Sequence, residues 1–411
     1  MKLSSKSKEY MIPEYSLTGD LLSFLTCNLQ YRYQNKGELI PSRPIQLWFG
    51  EFIHGVMEEA YTQWKLTKKP FPWDWLKDIR PIEAKIDERM QARGLYPPAL
   101  KYFIPYQIPD ENLNIDPKNP PKRIVSSRTE NSINIWGKEI FPLIDSAEVM
   151  IKSLREMPKT EDDENRAEYY CINGIIDVLS SLNINDEIEK DNLIFKYLKK
   201  NEHFRKYLES LKEKESSKKN KNGNSFKNEE YEIIIDYKGM KRPTYKSNSW
   251  EQQAWQILTY SWLRKIQNDA KPIVVGIIFY LNELLPAVGD LIAIKKDIEN
   301  NETDIEINDE DWENLEKWKG SDEEEFPQLS EQFKIDRSIR IIEINNELID
   351  NALNQFDHVV SNIEKSTIAE SKGVPIKNAW KADSDNERTC DACDFKSFCK
   401  KYKSKTDITV P

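Results

Sequence analysis

Long apolar runs are missing from this chain of 411 residues: none approaches the roughly 20 residues that a membrane-spanning helix needs. The opening stretch, MKLSSKSKEYMIPEYSLTGD, also lacks the apolar core of a secretory signal. The expectation is a soluble, cytoplasmic protein with no membrane partner. A G-x-x-x-x-G-K-[ST] phosphate loop is absent too, so an ATP-driven motor would have to come from another chain. There is no excess of positive charge: 60 Lys and Arg stand against 70 Asp and Glu, a formal net charge of -10. That balance argues against an all-over basic surface for polyanions, though not against a local one. Cysteine is scarce as well. Of five, three fall in TCDACDFKSFCKKYKSK as Cys390, Cys393 and Cys399. In a reducing compartment such spacing points to metal or cluster ligands rather than disulfides. A tetrahedral site needs four ligands, and neither Cys nor His follows Cys399.

What is present is a polar but globular composition, 38% hydrophobic and 32% charged. The length suits one large domain with insertions, or two to three ordinary ones. Helical periodicity dominates residues 15–95, in LTGDLLSFLTCNLQYRYQ and QLWFGEFIHGVMEEAYTQWK. A Pro-rich excursion over 96–130 follows, and INIWGKEIFPLIDSAEVMIKSLREM resumes a helical pattern within 131–182. The centre then changes character. EYYCINGIIDVLSS and YEIIIDYKG read as strands, SWEQQAWQILTYSWLRKIQ as a helix and KPIVVGIIFYLNE as a buried strand. This order predicts an α/β fold, a central sheet flanked by helices, with its core over 230–285. Charged insertions are expected at 183–229 and 286–335, and a long amphipathic helix leads through 336–411 to the cysteine loop. No internal repeat is visible.

The chemistry lies in the middle. Residues two apart on a strand share a side, so Asp236 and Lys238 in IIIDYKG would emerge together at its end. Such a pair also suits a surface ion pair. Asp177 lies among Ile175, Ile176, Val178 and Leu179, where a lone carboxylate is costly unless a cation meets it, or unless it ends the strand as a turn. Two carboxylates from neighbouring strands can bind Mg²⁺ or Mn²⁺ and leave places for water and a phosphate. His54, beside Ile53 and Val56, reads either as a satisfied core histidine or as a nitrogen ligand to the same ion. Gln253, Gln256 and Tyr260 recur at helical spacing, as one polar helix face or as groups beside a phosphate.

Taken in order, GEFIH, GIID, DYK and QILTY resemble the G-x-x-x-H, G-x-x-D, D-x-K and Q-x-x-x-Y motifs of the RecB-like branch of the PD-(D/E)XK nuclease superfamily. The cysteines fit its iron–sulfur members, the AddB-type and CRISPR-associated exonucleases, with one Cys before the histidine motif and three near the C-terminus. Here these are Cys27, Cys390, Cys393 and Cys399. The resemblance implies a single restriction-endonuclease-like domain with insertions and a C-terminal clasp. It implies that His54, Asp177, Asp236 and the main-chain carbonyl of Tyr237 bind the divalent metal. Lys238 would be the catalytic lysine, with Asp177, Asp236, Gln256 and Tyr260 completing the catalytic set. It also implies a mainly structural [4Fe–4S] cluster, for which Zn²⁺ is the alternative occupant.

The implied activity is a Mg²⁺- or Mn²⁺-dependent deoxyribonuclease, an exonuclease on single-stranded DNA or DNA ends, in repair, recombination or defence. Two alternatives stand beside it: a non-catalytic nucleic-acid-binding scaffold, and the nuclease subunit of an assembly with a helicase or another defence or repair subunit. Cys171, the fifth cysteine, reads as a small buried core residue.

Overall fold

The structure is a computed structural model; it describes residues 12–37, 39, 45–97, 122–159, 165–183, 191–210, 230–320, 325–391, 393–399 and 401. Its centre is a mixed, open six-stranded sheet with helices on both faces, an α/β architecture. The strands are β1 (Glu14–Ser16), β2 (Ser146–Glu156), β3 (Tyr169–Asn183), β4 (Glu230–Lys238), β5 (Ile273–Tyr280) and β6 (Ile339–Glu343). Three helices matter most: α1 (Ile45–Thr67), α2 (Asn248–Lys265) and α3 (Asn346–Ser371).

Long β3 organises the sheet. Along one side it pairs antiparallel with β2. On its other side, residues 171–173 pair parallel with β1 and residues 178–183 pair antiparallel with β4. β5 adds to β4 in parallel through the α2 crossover, and β6 closes the series antiparallel. The Ile-rich centre of β4 is buried on both faces, as the β-branched run demands. Ile233, Ile235 and Tyr237 enter one core with Phe52, Val56 and Ala60 of α1. Ile234 enters a second core with Ile257 and Leu263 of α2 and Phe356 and Val360 of α3. Each such side chain contributes about 1.5–3 kcal/mol through burial.

The helices begin where their caps dictate. Ser247 accepts the Trp250 N–H at 3.3 Å to start α2, and Asn345 accepts the Leu348 N–H at 2.9 Å to start α3. Helix α2 lies so close to the sheet that a Cβ on Gly276 of β5 would fall 2.1 Å from Ile257 Cγ2.

Several elements differ from the periodic reading. The helical pattern of 131–182 ends at Leu143, and SAEVMIKSLRE is strand β2 instead. Its apolar residues fit the helical period, and pairing with β3 decides the outcome. RIIE, expected as the start of the C-terminal helix, is β6. The N-terminal helix is broken: Cys27 is extended (φ -169°, ψ 118°) between Leu22–Thr26 and Asn28–Tyr31.

The acidic insertion has its own small core, in which Leu291, Ile294, Leu315 and Trp318 pack on Phe333. Buried Arg337 anchors it by donating from Nε to Glu283 Oε2 at 2.6 Å. Within 183–229, residues 193–200 and 202–210 are helical, while 184–190 and 211–229 lie outside the described residues, as do 98–121 of the Pro-rich stretch and the lysines of the tail beyond 401. Among the described residues no helix is long and apolar enough to cross a membrane.

Candidate active site and thiol cavity

The β3–β4 ladder runs from Asn183 opposite Glu230 to Val178 opposite Ile235 and then stops. The next pair in register would be Asp177 opposite Asp236. Where the strands part, the Asp177 carboxylate takes over the backbone's role, its Oδ2 accepting the Tyr237 N–H at 2.9 Å. The same oxygen lies 3.4 Å from Nδ1 of His54, which α1 brings across the first face. The strand ends thus join an imidazole and two carboxylates at one place.

Asp236 and Lys238 project together onto the α2 side of β4. Lys238 Nζ is 2.7 Å from Asp236 Oδ2, and it donates to Gln256 Oε1 at 2.8 Å. Gln256 Nε2 in turn faces Asp236 Oδ1 at 3.2 Å and the Tyr260 hydroxyl at 3.3 Å. Gln256 therefore clamps both members of the pair. Gln253 belongs elsewhere, accepting from the Tyr280 hydroxyl at 2.6 Å.

Asp236 is 3% exposed. Burial pushes its carboxyl up to about 6; Lys238 pulls it down and Asp177 pushes it up further. Its Oδ2 is buried without a hydrogen bond of acceptable geometry, despite the short ion-pair contact with Lys238. Burial draws the Lys238 ammonium down, but Asp236 and Asp177 more than offset this and hold it above its usual value. Lys238 is thus a cation at neutral pH and not a ready proton acceptor. Burial also raises the Tyr260 hydroxyl to about 12, so it stays neutral.

The glycine of GIID has a specific neighbour. A Cβ on Gly174 would stand 2.4 Å from Cε1 of Tyr260. The GIID and QILTY motifs, far apart in sequence, touch here: the missing side chain on β3 makes room for the ring on α2.

The sequence reading missed Glu148 on β2. Between the pairs Ala147–Val178 and Val149–Ile176, it stands across from Asp177 on the flank away from β4. Its φ is +52°. A cavity of about 10 Å³ is lined by His54, Glu58, Glu148, Asp177 and Tyr237. Glu58, one helical turn after His54, is already paired with Arg89 at 3.6 Å. Burial and the neighbouring Asp177 push the Glu148 carboxyl up. No motif marks Glu148, because its strand carries helical periodicity.

The cysteines meet at the other side of the second core. Cys27, Cys390, Cys393 and Cys399 all line one cavity of about 250 Å³. The Cys393 thiol is raised by burial and by the nearby Cys27 and Cys399 sulfurs. The chain ends are stitched together around it. Leu29 N–H donates to Lys381 O at 3.0 Å, and Arg32 reaches Glu370 through two hydrogen bonds of 2.6 and 2.5 Å. Trp380 is buried against Phe24 and Tyr31. Cys171 is buried, apart from this group. Among the described residues, no three His, Cys, Asp or Glu side chains are set up as they stand to hold a metal ion.

No protein-family model matches the chain, and no curated protein matches it either.

Proposed function

We propose that this chain is a RecB-like nuclease with a restriction-endonuclease-like core, hydrolysing phosphodiester bonds in DNA with Mg²⁺ or Mn²⁺. The observation that carries the reading is the meeting of Asp177, Asp236 and Lys238 where β3 and β4 part, with Gln256 clamping the last two. Single-stranded DNA or DNA ends are the substrates that the motif resemblance favours.

The residues suit the metal. Two carboxylates and one imidazole nitrogen form a donor set for Mg²⁺ or Mn²⁺, and Asp177 and Asp236 raise each other's need for a neighbouring cation beyond the one Lys238 supplies to Asp236. Asp177, Asp236, His54 and the Tyr237 carbonyl would hold the ion. Once bound, it would supply Lewis-acid polarisation of the phosphate and a water of lowered pKa. Lys238, kept charged by its two acids, offsets the negative charge that builds on the phosphate. Gln256 fixes the lysine against Asp236, and Tyr260 fixes Gln256.

The thiol cavity carries four cysteines on its lining, a complete ligand set for a [4Fe–4S] cluster, the occupant that the motif resemblance favours, with Zn²⁺ as the alternative. A [4Fe–4S] cluster there would fasten the N-terminal helices to the C-terminal loop. The test of the enzymatic reading is cleavage of DNA with Mg²⁺ or Mn²⁺ by the wild type and by Asp236→Ala and Lys238→Ala. The expected result is loss of cleavage in both variants; undiminished cleavage by both overturns the assignment.

A further inference from the structure

Gln30 follows Cys27 in the short helix Asn28–Tyr31 and lines the cavity that the four cysteines share. The residue as a whole is half-buried, yet its Oε1 is buried and takes no hydrogen bond among the described residues. An amide oxygen removed from water without a partner is costly. Nor does an acceptor suit metal-bound cysteines, because thiols lose their protons on binding and become acceptors themselves.

Sulfurs that hold a metal centre call for donors, and the main chain of the cysteines is committed elsewhere. The N–H groups of Cys27, Cys390, Cys393 and Cys399 donate to the carbonyls of Ser23, Asn386, Cys390 and Lys396 at 3.3, 3.1, 3.2 and 3.1 Å. The Phe395 N–H serves the Cys393 sulfur. Of the lysines on the lining, Lys401 reaches the Ser384 carbonyl and Asp385 at 2.8 Å each, and Lys396 reaches the Asp391 carbonyl at 3.3 Å. Gln30 differs from these groups in keeping a buried polar end that nothing uses. The two ends of a carboxamide have nearly the same shape, so a half-turn puts the Nε2 donor where Oε1 stands without repacking.

We propose that Gln30 is a positioning residue of the thiol-bound centre, presenting Nε2–H to a ligand sulfur and raising the centre's reduction potential. The inference rests on the reading of the cavity as a [4Fe–4S] site and extends it to a residue that makes no bond to the metal. A donor at a sulfur favours the reduced, more negative form, so its removal favours the oxidised one.

The test is a redox titration of the anaerobically purified full-length protein, followed by absorbance and electron paramagnetic resonance, in the wild type, Gln30→Met and Gln30→Glu. Methionine keeps the unbranched length and removes the donor; glutamate keeps the shape and puts a negative charge in its place. All three proteins should be brown, since the four cysteines are untouched. Gln30→Met should be reduced about tenfold less readily, a midpoint about 59 mV lower for one electron, and Gln30→Glu less readily still. A wild-type cluster that takes up no electron, or a Gln30→Met cluster reduced as readily as the wild type or more so, overturns the role of Gln30 and leaves the cluster reading intact. Loss of colour in both variants beside a brown wild type makes Gln30 a requirement for assembly and overturns the tuning role. A colourless wild type overturns the cluster reading itself.

Discussion

Replacing Gly174 by alanine tests the link between the first strand motif and the helix motif without any assumption about activity. The new Cβ would stand 2.4 Å from Tyr260 Cε1 and 3.1 Å from both Cδ1 and Cζ, where ordinary contact begins near 3.4 Å. Ring or strand must therefore move by about 1 Å, and overpacking of this kind costs about 1–3 kcal/mol. Gly174 has no positive φ, so alanine meets no backbone objection. With the ring removed, the same substitution should become neutral or stabilising by about 0.4–1 kcal/mol, because alanine restricts the unfolded chain. The prediction is thus a change of sign: Gly174→Ala destabilises the wild type but not the Tyr260→Ala background. The coupling energy would be roughly 1–4 kcal/mol. Urea denaturation of the four proteins of the cycle measures it. Equal effects of Gly174→Ala in both backgrounds, within about 0.5 kcal/mol, would refute the packing argument. A displaced ring also loosens the 3.3 Å contact with Gln256, so cleavage should fall with stability in the single variant; a catalytic group misplaced by about 1 Å can lose roughly a hundredfold.

Three further outcomes follow from the same geometry. The Asp236 carboxyl is held up at about 6, so in metal-free protein the fold keeps a proton that the unfolded chain releases near 3.8, the ordinary value of an Asp carboxyl. The stability that Asp236 contributes should therefore fall as pH rises through that window and level off above it; thermal unfolding in chelator should show a slope that Asp236→Asn reduces, the raised Asp87 carboxyl supplying part of the remainder. Glu283 and Arg337 form a pair only 1% and 3% exposed. Glu283→Ala strands that guanidinium and should cost about 3–5 kcal/mol in denaturant unfolding, whereas a loss under 1 kcal/mol would show that the charge finds water. Anaerobically purified protein should be brown and Cys393→Ser colourless, while a colourless, zinc-loaded wild type would replace the cluster by zinc.

Sequence and structure agree best where local pattern and tertiary need coincide. The Ile run before Asp236 forms β4, buried on both faces, and the capped α2 pattern places Gln256 and Tyr260 on the face toward Asp236. Cys27, which only the family resemblance joins to Cys390, Cys393 and Cys399, lines one cavity with them although the chain ends lie far apart in sequence. β2 escaped because Ala147, Met150, Ile151 and Leu154 fit a helical stripe, whereas in the strand Met150 and Leu154 stand exposed, and only its partner β3 settles the choice. Glu148 escaped with it, since its place beside Asp177 is a matter of register between strands. The contact of Gly174 with Tyr260 was equally out of reach, because both motifs were visible but not their approach.

The most direct measurement is hydrolysis of end-labelled single-stranded DNA in Mn²⁺ by the wild type and by Lys238→Ala, compared at equal concentrations of folded protein. The account predicts steady cleavage by the wild type, abolished by chelator and lost in the variant. Cleavage by Lys238→Ala at the wild-type rate, or a wild type with intact cluster and bound Mn²⁺ that cuts no nucleic acid, would contradict it.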